Sequence, residues 1–162
     1  MNDHAARRPH MTGYGVLPAD EGAGLLPWSW ATERLTRSHD YWLATVRPDG
    51  RPHVMPVWAT WDDDGLLFST APMSRKARNL AAEPRCTVTT DDALEPVVVD
   101  GVAELVTDRG VIGAFTARVN EKYETDYAID FYLENQTYRV RPSWVLALSE
   151  ADFTGTPTCW SF

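Results

Sequence analysis

Between Leu66 and Leu80 the chain reads LLFSTAPMSRKARNL: a short apolar run, a loop broken by Pro72, and a helix opened by Ser74. A strand-loop-helix junction collects unpaired backbone N–H groups and the positive end of a helix dipole. Here it adds a hydroxyl, Ser74, and three cations, Arg75, Lys76 and Arg78, within about two helical turns. That is the chemistry that holds a phosphate. The same spacing also fits the solvated face of a short surface helix, with Ala77, Leu80 and Ala81 as its apolar stripe. Lys76 and Asn79 fall three apart on a face the core does not need, which leaves them free for a ligand.

The charge of the whole chain sharpens that choice. A formal net charge of -8, with acidic residues spread along the sequence, argues against a sequence-independent nucleic-acid binder. A basic cluster in such a chain points instead to a small anionic ligand. No apolar run approaches the roughly 20 residues that span a bilayer, so no membrane partner is expected. Cys86 and Cys159 lie far apart with no CxxC pair, and the N-terminus carries no leader-type segment, which together predict a reduced, cytoplasmic protein. His4, His10, His39 and His53 lack metal-ligand spacing, and no metal is expected.

The elements that must position the junction follow from periodicity. Residues 1–24 are polar, rich in Gly and Pro and without period, and are expected to be mobile; residues 25–162 form a single domain. Trp28, Ala31, Thr32 and Leu35 line one face of a helix that runs to about Arg37, with Pro27 near its first turn. Tyr41 to Val46 and Arg51 to Trp61 form a hairpin around the turn Pro48-Asp49-Gly50. Pro52 and Pro56, four apart on the second strand, keep one backbone edge off any ladder, so this strand is an edge or faces something other than protein. A proline-protected edge is one account of His53-Val-Met-Pro-Val-Trp. The other is a strand whose free backbone and flat apolar side chains receive a planar heterocycle, and the adjacent phosphate-type junction favours it.

Asp62-Asp63-Asp64-Gly65 reads as a turn with a solvated tip and without calcium-loop spacing. Arg85 to Thr90 and Pro96 to Val106 are further strands, the second with a bulge or bend at Gly101. Asp108 to Val119 reads as a helix and Asn120 to Gln136 as a second helix or helix pair. Tyr138 to Leu148 is the last strand, tolerating Pro142 at a bulge or edge, and Phe153 to Phe162 is a tail. Six hairpin-connected strands with inserted helices predict a mainly β (α+β) fold, a six-stranded antiparallel barrel with peripheral helices. With no GxGxxG and no GxxxxGK[ST], the classical dinucleotide and P-loop folds are set aside.

The runs WLATVRPDGRPHVMPVWATW, LLFSTAPMSRKARNLAAEPRCTV and VVVDGVAELV resemble the pyridoxamine 5'-phosphate oxidase-like, split β-barrel flavin/deazaflavin oxidoreductase superfamily, in its actinobacterial branch. The resemblance covers about Trp28 to Leu148. It implies an FMN-binding type of split barrel and a homodimer with two cofactors, coenzyme F-420 or FMN, in grooves at the subunit interface. By the same resemblance His53, Val54, Met55, Pro56, Val57 and Trp58 line the ring, Ser69 and Thr70 border it, and Ser74, Arg75, Lys76 and Asn79 hold the phosphate. The tail departs from the family's Thr-Arg-Trp type, with Cys159 before Trp160 and no arginine to reach an anion.

The activity implied is an oxidoreductase that moves hydride to a small conjugated or heteroaromatic acceptor. Two alternatives stand beside it: a protein that sequesters a flavin or heme without turnover, and a pyridoxamine 5'-phosphate oxidase, for which the sequence lacks a second basic cluster. No residue is assigned to catalysis; His53 is a candidate proton donor, and equally a packed or solvated edge-strand histidine. The aromatic segment Tyr123 to Phe131 either closes over substrate or packs at the dimer interface.

Overall fold

A computed structural model describes residues 5–162; His4 lies outside the described residues. The elements run α1 (Trp28–Arg37), β1 (Asp40–Val46), β2 (Pro52–Asp62), β3 (Gly65–Thr70), α2 (Arg75–Ala82), β4 (Arg85–Thr90) and β5 (Val97–Val106). They continue with α3 (Arg109–Tyr123), α4 (Ile129–Leu133), β6 (Gln136–Ala147) and β7 (Thr158–Ser161). The sheet order is β3-β2-β1-β4-β5-β6-β7, and β3 also pairs with β6. That second pairing closes six antiparallel strands into the expected split barrel.

Local sequence accounts for the corners. At the β1–β2 turn Gly50 adopts φ 81 with open space around it, so its glycine answers to backbone conformation alone. The bulge expected at Gly101 is present: Asp100 pairs with Trp144 and Gly101 with Pro142, leaving Ser143 unpaired and Pro142 accommodated at the irregularity. A Cβ at Gly101 would come within 2.3 Å of the Arg141 carbonyl oxygen, so the bend also depends on close approach. Asp63 and Asp64 stay exposed at the turn as expected, but Asp62 is withdrawn from solvent into an ion-pair cluster. Asp62 accepts from Arg139 Nη2 at 2.7 Å and Arg118 Nη2 at 3.3 Å, and Asp64 accepts from Arg139 Nη1 at 3.2 Å.

Three apolar clusters surround these strands. Tyr41, Leu43, Val57, Phe68, Val88 and Val140 fill the barrel. Ala31 and Leu35 of α1 pack on Val97, Val99, Val145 and Trp160, while Ile112, Phe115 and Val119 of α3 pack on Leu67 and Tyr132. The second cluster exposes an element the periodicity does not signal. The C-terminal residues form a seventh strand on β6, pairing Val145 with Trp160, and Trp160 is fully buried. Helix α3 starts where Asp108 caps the Val111 N–H and runs a turn beyond Val119 to Tyr123; the following segment holds one short helix, α4. Along the N-terminal lead, the Arg8 guanidinium donates to the carbonyls of Pro157 at 2.8 Å and Gly155 at 2.6 Å, and Leu17 N–H donates to Thr154 O at 2.9 Å.

Candidate functional site

The split in the barrel is set by register. β2 pairs with β1 from Pro52 to Trp58 but with β3 only from Ala59 to Asp62, so its second edge carries no strand over residues 52–58. Pro52 and Pro56 have no N–H to give β1, which puts the odd-numbered residues in the bonded pairs with β1 and turns the even-numbered backbone outward. The open edge then offers the N–H of Val54 and Trp58 and the carbonyls of Pro52, Val54 and Pro56. Across the split, β3 leaves β2 after Phe68 and pairs Ser69 and Thr70 with Thr137 and Gln136 of β6.

The strand side chains divide accordingly. Val54, Met55 and Trp58 are exposed, Pro56 is exposed between them, and His53 is half-buried. Val57 turns into the barrel interior beside the core residues. At the end of the open edge, Trp58, Ser69, Thr70 and Ala71 form one wall of a cavity of about 510 Å³; Phe115, Val119, Tyr127, Phe131, Tyr132 and Asn135 form the other. None of these side chains is charged. The aromatic wall comes from α3, α4 and the loop between them, with Tyr127 and Phe131 stacked at 4.6 Å.

Trp58 is held by Tyr123, the first residue of the aromatic segment singled out in the sequence. Its ring stacks on Tyr123 at 4.3 Å and 8°. The Tyr123 hydroxyl accepts from Ala59 N–H at 2.9 Å and lies 2.6 Å from the His39 carbonyl, to which it donates. Lys122 Nζ donates to Tyr41 Oη and to Ala59 O, both at 2.9 Å. The end of α3 thus replaces β1 as the partner of β2 at Ala59, one residue beyond the Asp40–Trp58 pair at which β1 begins. Burial pushes Lys122 down to about 8 and Tyr123 up to about 12, as expected for groups that trade water for fixed partners. Helical period in residues 109–123 signals α3, but nothing local signals that its last two residues cross to β2.

The strand-loop-helix junction forms at the expected residues, but Asn79, expected on a face free for a ligand, is turned into the core because its amide finds a partner on β1. Ser74 caps α2, its Oγ accepting from Ala77 N–H at 3.1 Å and from Thr70 Oγ1 at 3.0 Å. Arg75 is exposed, Lys76 half-buried, and burial lowers the Lys76 pKa. Asn79 lies beneath them, fully buried, donating from Nδ2 to Thr45 Oγ1 at 2.9 Å. The Thr45 hydroxyl is in turn 3.4 Å from the His53 carbonyl oxygen, and 3.5 Å from Nδ1. The pKa of His53 is lowered by burial first and then by cationic neighbours, Arg75 and Lys76 among them. The structure therefore brings His53, Ser74, Arg75, Lys76 and Asn79 to one end of the open edge, and Trp58, Ser69 and Thr70 to the other. A phosphorylated heterocycle fits this set: uncompensated cations at one end, backbone donors and acceptors along the edge, and apolar rings at the other end. Among the described residues no group of three His, Cys, Asp or Glu side chains converges on a shared point.

Residues 31–151 match the family model described as pyridoxamine 5'-phosphate oxidase. An F-420 reductase of solved structure is 30% identical, with 70% of this chain and 93% of that chain covered and a TM-score of 0.59. A conserved hypothetical protein from Mycobacterium tuberculosis gives a TM-score of 0.70 at 23% identity, covering 77% of this chain and 86% of that one. The heme storage protein from Vibrio cholerae gives 0.56 at 23% identity, covering 71% and 86%. The last two likenesses are of fold. No curated protein matches the chain.

Proposed function

Because the chain belongs to the pyridoxamine 5'-phosphate oxidase family, we propose that it is an oxidoreductase, working as a reductase on a small, uncharged conjugated or heteroaromatic acceptor with coenzyme F-420 or FMN. The observation that carries this reading is the adjacency of two unlike surfaces: a cation cluster without acidic partners and an uncharged aromatic cavity, joined by seven residues of open β2 edge. When bound, the cofactor supplies hydride transfer. The protein's part is binding, orientation and exclusion of water. Lys76 and Arg75 hold the phosphate, the N–H groups of Val54 and Trp58 orient the ring, and Trp58 with Tyr127 and Phe131 encloses the acceptor. The likeness to an F-420 reductase at 30% identity favours the deazaflavin. An uncharged cavity has nothing to neutralise a phosphorylated substrate, which argues against pyridoxamine phosphate as the acceptor.

A second copy of the chain completes the site. Trp42, Val46 and Val54 leave an exposed apolar surface on one face of β1 and β2, next to the open edge. Sedimentation at assay concentrations is expected to give the mass of a homodimer; a monomer that still turns over would remove the second copy from the site. Cys86 and Cys159 are buried free thiols, in keeping with a cytoplasmic setting, and no described helix is long and apolar enough to cross a membrane.

The test is turnover. Reduced F-420, and separately reduced FMN, is mixed with the protein and a para-quinone, and oxidation is followed optically under anaerobic conditions. Protein-dependent, saturable oxidation is the expected result. Tight binding without acceleration would replace the reductase by a protein that sequesters its ligand.

A further inference from the structure

All of the chain's 15 lysine and arginine residues fall within the described residues, and there all but four engage an acceptor or an acid. The four are Arg47, Arg75, Lys76 and Arg78. Three are consecutive in space on α2, but Arg47 comes from elsewhere, the turn between β1 and β2. Its backbone is fixed there: the N–H donates to Arg51 O at 2.9 Å and the carbonyl accepts from Gly50 N–H at 2.8 Å. Its Nε is buried with no hydrogen-bond partner, an arrangement natural proteins rarely leave unfilled.

The same few groups converge on His53. Burial, then Arg47, Arg75 and Lys76, lower its pKa, and no acidic side chain acts on it from β1, β2 or α2. The acid that does feel Arg47 is Asp49, in the same turn, and its carboxylate is taken by Arg51 Nε at 3.0 Å and Nη2 at 2.6 Å. In a chain of net charge -8, a place where three cations meet a histidine without a carboxylate is a place built for an anion from outside.

We propose that Arg47 is a ligand of the anion site, closing it from the β1–β2 turn opposite Arg75 and Lys76. The group it holds is a phosphoryl carrying, alone or with a neighbouring carboxylate, at least two negative charges. The location rests on the cofactor reading above, while the assignment of Arg47 does not. One consequence separates this site from a solvated basic face. An anion among the three cations cancels the repulsion on the His53 imidazole, so binding raises the pKa of that imidazole.

The test is a proton NMR titration of the full chain with inorganic phosphate, read at the imidazole signals of its four histidines. His53→Gln assigns the resonance. In the wild-type chain phosphate shifts the His53 signal saturably and raises its pKa. Arg47→Met weakens phosphate about tenfold, the scale of losing one charge-assisted contact, and raises the His53 pKa before any phosphate is added. Arg37→Met, which removes an equal charge from an exposed pair on α1, leaves both unchanged. Arg47→Lys keeps the charge without the guanidinium fork and is expected to fall between; it serves should the Met variant fail to fold. Failure of His53 to respond to phosphate, or equal effects of Arg47→Met and Arg37→Met, overturns the proposal.

Repeating the comparison with FMN and with F-420 separates the two sources of the phosphoryl group. Loss of FMN affinity in Arg47→Met marks a phosphomonoester ligand, and loss of F-420 affinity marks a phosphodiester with its carboxylates. A cofactor that binds both chains equally leaves the oxidoreductase standing and removes Arg47. Arg47-dependent phosphate binding in a chain that accepts neither cofactor does the reverse.

Discussion

Replacing Lys76 by alanine is expected to weaken cofactor binding by about 1.5 to 3 kcal/mol, or about 10- to 150-fold in Kd, the scale of a hydrogen bond between charged groups. The melting temperature should stay where it is. Both halves follow from the same observation: among the described residues Lys76 has no ion pair and no hydrogen bond, so its removal costs the fold nothing it now uses. The amine is half-buried, and its pKa is lowered by that burial, a condition a phosphate would relieve. A lysine on a merely solvated helix face would give unchanged affinity, and that result would move the phosphate away from α2. Isothermal titration of the variant and the wild-type chain with the same cofactor, beside a thermal melt of each, reads both quantities.

The largest effect on stability is expected at the other end of the chain. Trp160→Ala should destabilise the protein by about 3 to 5 kcal/mol, the usual range for emptying a fully buried tryptophan site. At this chain length that is about 6 to 20 °C in Tm. Trp160 is fully buried on β7, its ring 5.2 Å from that of Trp28, in the cluster that seats α1 on β5 and β6. Its Nε1 makes no hydrogen bond, so the loss is one of packing and cavity rather than of a polar contact. Trp160→Phe, which keeps most of the ring, should recover the greater part of it. A melt within 2 °C or so of the wild type for Trp160→Ala would mean that β7 is a detachable tail.

That strand also shows where sequence reasoning stops. The β1–β2 hairpin, the Ser74 cap on α2 and the irregularity at Gly101 are all legible, because each is governed by residues within one turn or one strand of itself. Prolines 52 and 56 even betray the open edge of β2, since a missing N–H is a property of the residue and not of its neighbours. β7 has only four residues and no alternation to distinguish it from a loop; only β6, eleven or more residues earlier, makes it a strand. The Asp62 and Asp64 carboxylates look solvated in a run of three acids, and only the closure of β3 on β6 brings Arg139 to them.

The site divides in the same way. Its cationic end lies on one contiguous segment, Thr70 to Asn79, and so can be found from spacing. Its aromatic end is assembled from α3 and α4, whose packing on β3 is a tertiary fact. Arg47 belongs to neither segment. The hairpin register that pairs Thr45 with His53 brings the end of β1 alongside His53, a signal available from the turn, but the absence of a partner for its guanidinium is visible only in three dimensions.

Equilibrium titration of the purified chain with F-420 and, in parallel, with FMN, followed by fluorescence, tests the central claim most directly. Saturable binding of one of them at one site per chain, with F-420 the tighter, is the expected result. Binding of neither, by a chain whose melt shows it folded, would contradict the cofactor assignment.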